Sequence, residues 1–287
     1  MSSAPARIVV LSAFPANYRL VADWAERHGH EILLAVAPPG GAGRYGGGDL
    51  ADELGKGVSL LVTGRLRTVA APLIASLAPD LVISAAFPRL IPKEILDVPL
   101  HGAVNLHPTV LPAGRGPNPA RLVYDGAGTI GATLHRTAAE FDTGAVLSTR
   151  ECPLPERLDG PTLLARWTDL FAEVIEEGAA RALRGEPGEE QDPAGASYAA
   201  PFTADEFVMD FTDTAETVRR KAAAVNVLTT RATVRLPDAE GLVRAVELAD
   251  HLEGTPGTVL ATHEDGWTVR AADRAVRLYT EGAPVRP

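Results

Sequence analysis

The sequence predicts an α/β protein, built on a mostly parallel sheet with helices on both faces and followed by a small strand-rich C-terminal domain. Three observations predict it. Through the first half, apolar runs without polar alternation take turns with amphipathic helical segments, the rhythm of a sheet covered on both faces. A polar, breaker-rich stretch, Gly185-Glu-Pro-Gly-Glu-Glu-Gln-Asp-Pro-Ala-Gly195, then interrupts that rhythm. Beyond it five short strand candidates crowd together, as in a small barrel or sandwich.

In order, Arg7–Ser12 reads as a buried strand, and residues 17–29 place Leu20, Val21, Trp24 and Ala25 at helical spacing before Gly29. Glu31–Ala37 is a second strand, broken by Pro38-Pro39, and residues 58–62 are a third. Leu73, Ile74 and Leu77 mark a helix, Asp80–Ala85 a fourth strand, and Gly102–Leu106 a fifth that ends at Pro108. Asn118-Pro119 has the form of a helix start, a capping residue followed by a first-position proline. Thr129–Leu134 follows as a strand. A long helix then runs from Pro161 to Leu183, with Leu163, Leu164, Trp167, Phe171, Val174 and Ile175 on one face.

Past residue 204, a helix capped by Asp213, with Glu216 three residues on, turns Val218, Ala222 and Val225 inward. The strands are expected at 232–236, 242–248, 257–262, 267–272 and 275–280, with Val243, Ala245 and Glu247 facing away from Arg244, Val246 and Leu248. The expected division is a Rossmann-like domain over 1–184, a linker over 185–204 and an OB-like domain over 205–287.

Composition excludes several classes. Of 287 residues 46% are hydrophobic and 22% charged, which suits a soluble globular protein and not a disordered, collagen-like or polytopic membrane chain. The single cysteine, Cys152, cannot form an internal bridge. Residues 58–62 and 81–87 fall far short of the ~20 apolar residues needed to cross a bilayer, and Met1 to Ile8 lacks the form of a signal peptide. A cytoplasmic location, away from membranes, is the expectation. The net charge of −10 disfavours a nucleic-acid partner, because phosphate backbones are gripped by counterion-releasing cations.

Among chemistry-bearing residues, Gly41-Ala-Gly43-Arg-Tyr-Gly46 matches G-x-G-x-x-G in letters only. The dinucleotide motif follows the first strand and opens a helix, whereas this run follows the second and continues as glycine, so a surface loop is expected. Asn105-Leu-His107 is more informative. Residues two apart on a strand share a face, so both side chains project together at the carboxyl edge, where ligands bind in open α/β sheets. A carboxamide donor beside an imidazole suits a reaction passing through an oxyanion. Spacing alone leaves open that Asn105 caps a turn and His107 packs at a strand end. Asp142, in Glu140-Phe-Asp-Thr-Gly144, can orient His107 and tune its protonation. One Asp-Thr-Gly does not make an aspartic protease, which needs two carboxylates. No Gly-x-Ser-x-Gly elbow is present, and the spacing of His101, His107 and His135 does not match zinc-ligand patterns, so no metal is expected.

Taken together, Asn105-Leu-His-Pro-Thr-Val-Leu-Pro112, Arg115-Gly-Pro-Asn-Pro119, Gly131-Ala-Thr-Leu-His-Arg136 and Phe141-Asp-Thr-Gly144 resemble the folate-dependent formyltransferase family. Arg7–Ser12, Phe87-Pro-Arg-Leu-Ile-Pro92, Tyr198-Ala-Ala-Pro201 and Pro256-Gly-Thr-Val-Leu260 extend the likeness to almost the whole chain. The resemblance implies a catalytic trio of Asn105, His107 and Asp142, with 10-formyltetrahydrofolate as formyl donor and no metal. It also implies Phe87, Arg89, Leu90, Ile91, Glu140 and Phe141 as cofactor-binding residues. Arg115 and His135 would bind the acceptor, although His135 reads nearly as well as a satisfied strand histidine.

Departures from the family bear on that acceptor. Asn226-Val-Leu-Thr229 stands where the tRNA-formylating branch carries Asn-Pro-Trp-Pro, and the loop after the second strand, Pro39 to Gly46, holds one arginine. Residues 205–287 hold 10 basic and 14 acidic side chains, a poor balance for RNA. A small amine, an amino sugar or amino acid-derived metabolite, is the expected acceptor. Methionyl-tRNA is the alternative, and water, giving a formyltetrahydrofolate hydrolase, is a second. The expected C-terminal module helps shape the acceptor side without engaging tRNA.

Overall fold

The apolar run Arg7–Ser12 forms β1, and four further strands align parallel with it in the order set by short crossovers. A computed structural model describes residues 5–40, 50–54, 57–250 and 253–281. The glycine run at 41–46 lies outside these residues. Helix α1 spans Pro15–His28 and stops at Gly29, whose φ of 70° places it in the left-handed conformation that glycine adopts cheaply. Its Tyr18, Val21, Trp24 and Ala25 are buried. Strands β2 (Glu31–Ala37), β3 (Ser59–Val62), β4 (Leu81–Ala85) and β5 (Ala103–His107) follow, with α2 (Ala71–Leu77) and α3 (Lys93–Leu96) between them.

The seven-stranded sheet has the order β3-β2-β1-β4-β5-β6-β7, where β6 is Thr129–Arg136 and β7 is Val146–Pro153. Pairings among β1 to β5 are parallel, and β6 runs antiparallel to β5. The strand order reverses between β1 and β4, the switch point beside which open sheets hold ligands. This is the Rossmann-like architecture that the sequence predicts. Strand β7 has no counterpart in that prediction, because its polar Ser148, Thr149, Arg150 and Glu151 mask a strand at the sheet edge.

The chain divides into two compact units. The first comprises Met1–Pro117, Gly131–Glu151 and Trp167–Tyr198, and the second Asn118–Ile130, Cys152–Arg166 and Ala199–Pro287. Helix α5 (Gly160–Leu183) therefore starts in the second unit and ends in the first. Within the second unit, α4 (Ala120–Asp125) is tied down by Arg121, whose Nη1 and Nη2 meet Glu206 Oε1 and Oε2 at 2.6 and 2.7 Å. That bidentate pair holds the Glu206 carboxyl at about 2, well below the usual carboxylate range.

The rest of the second unit is α6 (Ala215–Val225) against a five-stranded sheet of order β10-β11-β12-β9-β8. These strands are β8 (Thr233–Leu236), β9 (Ala239–Ala249), β10 (Val259–His263), β11 (Gly266–Arg270) and β12 (Ala275–Thr280), an OB-like arrangement. Val218, Ala222, Val225, Val234, Trp267 and Leu278 share its core.

Three local expectations need correction. Thr214, not Asp213, caps α6: its Oγ1 accepts from Thr217 N at 3.3 Å, while Asp213 takes Lys221 Nζ at 2.7 Å. Asn118 does not cap α4: Pro119 holds the cap position with no side-chain capping bond, and the Asn118 amide donates to Ala200 O at 2.9 Å. Strict alternation along β9 also fails. Val243 and Val246 are both buried, since the pairing slips between Tyr279 and Thr280 and bulges the strand at Arg244. Among the described residues no helix is long and apolar enough to cross a membrane.

Candidate active site

Strand β5 carries Asn105 and His107 to its carboxyl end on one face, and antiparallel β6 sets His135 directly opposite Asn105. The loop leaving β5 is stapled to β6 through Thr133. Its Oγ1 donates to Thr109 O at 2.7 Å and accepts from Leu111 N at 3.2 Å. After β6 the chain loops out and returns at Ala145, whose carbonyl takes the Arg136 N–H at 2.8 Å. That loop delivers Asp142 to the two histidines.

Asp142 is the hub. Its Oδ1 lies 3.4 Å from His107 Nδ1, 3.5 Å from Asn105 Nδ2 and 3.7 Å from His135 Nε2. Its Oδ2 accepts the Gly116 N–H at 2.9 Å. The residue sits at φ 57°, a left-handed conformation that aspartate tolerates better than most side chains. Two residues on, a Cβ at Gly144 would stand 1.8 Å from Arg136 O, so only glycine fits. Gly144→Ala is expected to destabilise the protein by at least about 2 kcal/mol, because the obstacle is backbone. A denaturant melt with an unchanged midpoint would refute this.

The hydrogen bonds fix the protonation pattern. A carbonyl only accepts, so His107 donates through Nε2 to Gly114 O at 3.0 Å, and in the neutral ring Nδ1 is left as the basic nitrogen facing Asp142. By the same logic His135 donates through Nδ1 to Arg136 O at 2.8 Å, and its Nε2 accepts from Asn105 Nδ2 at 3.1 Å. Both histidines are buried, at 4% and 1% exposure, as is Asp142 at 9%.

Burial pushes the His107 pKa below its ordinary value, against the pull of Asp142 and of the Gly114 carbonyl. For Asp142 burial acts upward, but the two imidazoles and the Gly116 N–H more than offset it and hold the carboxyl low. The site therefore rests as a neutral imidazole beside a carboxylate. If that imidazole is the working base, kcat/KM is expected to hold as pH falls to the ordinary histidine value of 6.5 and to decline only below it. An acid limb above 6.5 would refute that assignment. Stability moves in the same direction. Below 6.5 the unfolded chain binds more protons than the folded one, so stability is lost as pH falls.

The other expected site residues divide. Phe87 and Ile91 are buried in the core of the first unit, with Val9, Leu11 and Ile95. Leu90 and Phe141 are exposed at 48% and 59%, large apolar side chains left in solvent beyond β4 and beside Asp142. Glu140 is exposed, and Arg89 reaches Gly64 O at 3.4 Å. His135 has both ring nitrogens bonded within the protein. Arg115 gives Nε and Nη2 to Gln191 Oε1, at 3.2 and 2.7 Å.

Gln191 belongs to a segment read from sequence only as a linker. Its Nε2 donates to Asp142 O at 2.9 Å and to Gly144 O at 2.7 Å. No local signal marks it, since its partners lie roughly 50 and 75 residues away and two of them are backbone carbonyls. Among the described residues, no group of three or more His, Cys, Asp or Glu side chains is arranged to hold a metal ion.

Comparison with known proteins adds a relationship to this geometry. Residues 65–177 match the formyl transferase family model. The chain is 33% identical over 207 residues to methionyl-tRNA formyltransferase of Pseudomonas syringae pv. tomato (strain ATCC BAA-871 / DC3000). That match takes in 71% of this chain and 65% of the relative, just under two thirds of its length. It is 30% identical over 288 residues to methionyl-tRNA formyltransferase of Roseiflexus sp. (strain RS-1), which covers 96% of this chain and 87% of that one.

Among solved structures, HypX from Aquifex aeolicus in complex with tetrahydrofolic acid superposes with a TM-score of 0.68 at 22% identity, over 95% of this chain and 43% of HypX. A sugar N-formyltransferase from Shewanella sp. FDAARGOS_354 gives 0.64 at 14% identity, over 85% of this chain and 99% of that one. These two show the shared fold. Identity of 30% sustained through 87% of a relative's length goes further than fold, and the chain belongs to the formyl transferase family.

Proposed function

We propose that this protein transfers a formyl group from 10-formyltetrahydrofolate to a primary amine of a small molecule, an amino sugar or an amino acid-derived metabolite. The observation that carries the reading is the buried His107–Asp142 pair, 3.4 Å apart, with the Asn105 carboxamide beside it at the carboxyl edge of β5. Formyl transfer needs those three things: a hydrogen-bond donor for the oxygen that becomes negative, a proton acceptor for the attacking amine, and a carboxylate to support the imidazolium that results.

Bound 10-formyltetrahydrofolate supplies a formyl carbon open to attack by an amine. Exposed Leu90 and Phe141 fit it, because they offer apolar surface to a flat heteroaromatic ring near the reacting groups. Arg89 and Glu140, both exposed, add polar contacts on the same reading, with Phe87 and Ile91 supporting from the core. Asn105 Nδ2 commits one hydrogen to His135 and makes only a long contact to Asp142, so its second hydrogen serves the developing oxyanion. His107 Nδ1 takes the amine proton with Asp142 neutralising the charge, and the pair hands that proton to the departing nitrogen. His135, expected to bind the acceptor, acts instead on the formyl oxygen by holding the Asn105 carboxamide, and Arg115 acts on the acceptor side through the loop it anchors. No step calls for a metal, and the reading places the protein in the cytoplasm.

The relatives named above act as methionyl-tRNA formyltransferases, which keeps aminoacyl-tRNA as the second reading. Against it stand the 10 basic and 14 acidic residues of 205–287 and the burial of Trp267, which removes a candidate base-stacking surface. The test is to incubate the protein with 10-formyltetrahydrofolate and a panel of amino sugars and amino acid derivatives, with charged initiator tRNA in parallel, and read mass gain. Formylation of the tRNA alone would replace our acceptor with the second. Tight, steeply salt-dependent tRNA binding would point the same way.

A further inference from the structure

Between Glu189, which pairs backbone to backbone with Val146, and Tyr198, which bridges Arg115, the chain crosses beside the two loops that meet at Asp142. One side chain on that crossing touches both. Carbonyls only accept and guanidinium only donates, so the Gln191 amide can sit one way round. Its Nε2 donates to Asp142 O and Gly144 O, at 2.9 and 2.7 Å, and its Oε1 accepts from Arg115 Nε and Nη2, at 3.2 and 2.7 Å. The amide is thereby saturated.

What it joins is specific. On either side of Arg115 lie the two backbone groups that orient the reacting pair. Gly114 O takes the His107 Nε2 proton at 3.0 Å, and the Gly116 N–H reaches Asp142 Oδ2 at 2.9 Å. Ser197 supports the same loop, its Oγ accepting from Gly114 N at 2.8 Å and its carbonyl from Arg115 N at 2.9 Å. The other end of the Gln191 amide fixes the backbone of Asp142 itself, in the left-handed conformation that aims its carboxylate at His107.

We propose that Gln191 is a positioning residue for formyl transfer, a single carboxamide that locks the loop orienting His107 to the loop carrying Asp142. The inference rests on the reading of His107 and Asp142 as the reacting pair, and it adds a residue that touches neither donor nor acceptor. Displacing a catalytic group by about 1 Å can cost on the order of a hundredfold in rate, so the effect belongs in kcat.

The test uses the full chain with Gln191→Leu, Gln191→Glu and, alongside, Asp142→Asn. Gln191→Leu is expected to lower kcat by about 10- to 100-fold, with the KM for 10-formyltetrahydrofolate within about twofold of the parent. The acid limb of kcat/KM is expected to move to lower pH, because His107 loses part of the support of Gly114 and Asp142 that holds its pKa up. A purely structural residue would change the melting temperature and leave that limb in place.

Gln191→Glu covers the case in which the leucine variant does not fold. It keeps an acceptor for Arg115 but turns a carboxylate on two carbonyls, so the same fall in kcat is expected. Parental kcat and an unmoved limb in a folded Gln191 variant, with Asp142→Asn inactive, would overturn this inference alone. Parental activity in Asp142→Asn would overturn the reading of the site and this inference with it.

Discussion

Asp142→Asn is expected to lower the rate of formyl transfer on the order of a thousandfold while leaving tetrahydrofolate binding and the melting temperature close to those of the parent. The magnitude is that of losing a positioned acid–base partner, about 10²- to 10⁴-fold. The substitution is chosen because the buried hub survives it. An asparagine Oδ1 still accepts the Gly116 N–H, now made at 2.9 Å by the carboxylate. Its amide can then donate to His107 Nδ1, across a gap of 3.4 Å in the parent. That donation keeps the fold and stops the chemistry, because it occupies the nitrogen that must take the amine proton. His107→Ala is expected to lose activity to a similar degree, but it also leaves Gly114 O and Asp142 without their partner, so its loss mixes structure with chemistry. Equilibrium titration with tetrahydrofolate and single-turnover formyl transfer measure the two quantities apart. Undiminished single-turnover rates in Asp142→Asn would remove the carboxylate from the mechanism.

How much of this was legible in the sequence follows the range of each interaction. Asn105 and His107 share a face because strand periodicity is local, and that part of the site follows from three consecutive residues. Asp142 reads as a residue able to orient His107, but thirty-five residues separate the two, and only family likeness makes them partners in one trio. Phe87 and Ile91 are offered as cofactor-binding by the family likeness alone, and their place in the core is set by packing that the sequence does not show. The exposed pair Leu90 and Phe141 is distinguishable only by burial. Thr214 and Asp213 are adjacent and both suited to capping, and the choice between them is made by Lys221, which sequesters the aspartate. Gln191, Gly114 and Gly116 act through backbone groups or upon them, and backbone groups carry no residue signature.

Asn105→Ala is expected to reduce kcat by about a hundred- to a thousandfold, the usual consequence of losing one preorganised oxyanion donor. The geometry specifies why this carboxamide is preorganised. His135 donates its Nδ1 proton to Arg136 O, so its Nε2 can only accept, and it draws one Asn105 Nδ2 hydrogen at 3.1 Å. The amide plane is thereby set before substrate arrives, and the remaining hydrogen has only to exchange its long 3.5 Å contact with Asp142 Oδ1 for the oxygen on which negative charge develops. An interaction made only as that charge appears affects kcat and kcat/KM equally and leaves KM unmoved. Truncation also strips a partner from a buried imidazole nitrogen, costing about 1–3 kcal/mol of stability, which a denaturant melt reads separately. Asn105→Asp sharpens the comparison. It places a second carboxylate 3.5 Å from Asp142 Oδ1 and gives His135 Nε2 an acceptor where it had a donor, so like charge is crowded into the buried site. Activity should then fall further than in the alanine variant, because negative charge is set where the oxyanion must form. If either variant raises the amine KM while kcat stays at the parental value, Asn105 binds the ground state, and the oxyanion role passes to another donor in the site.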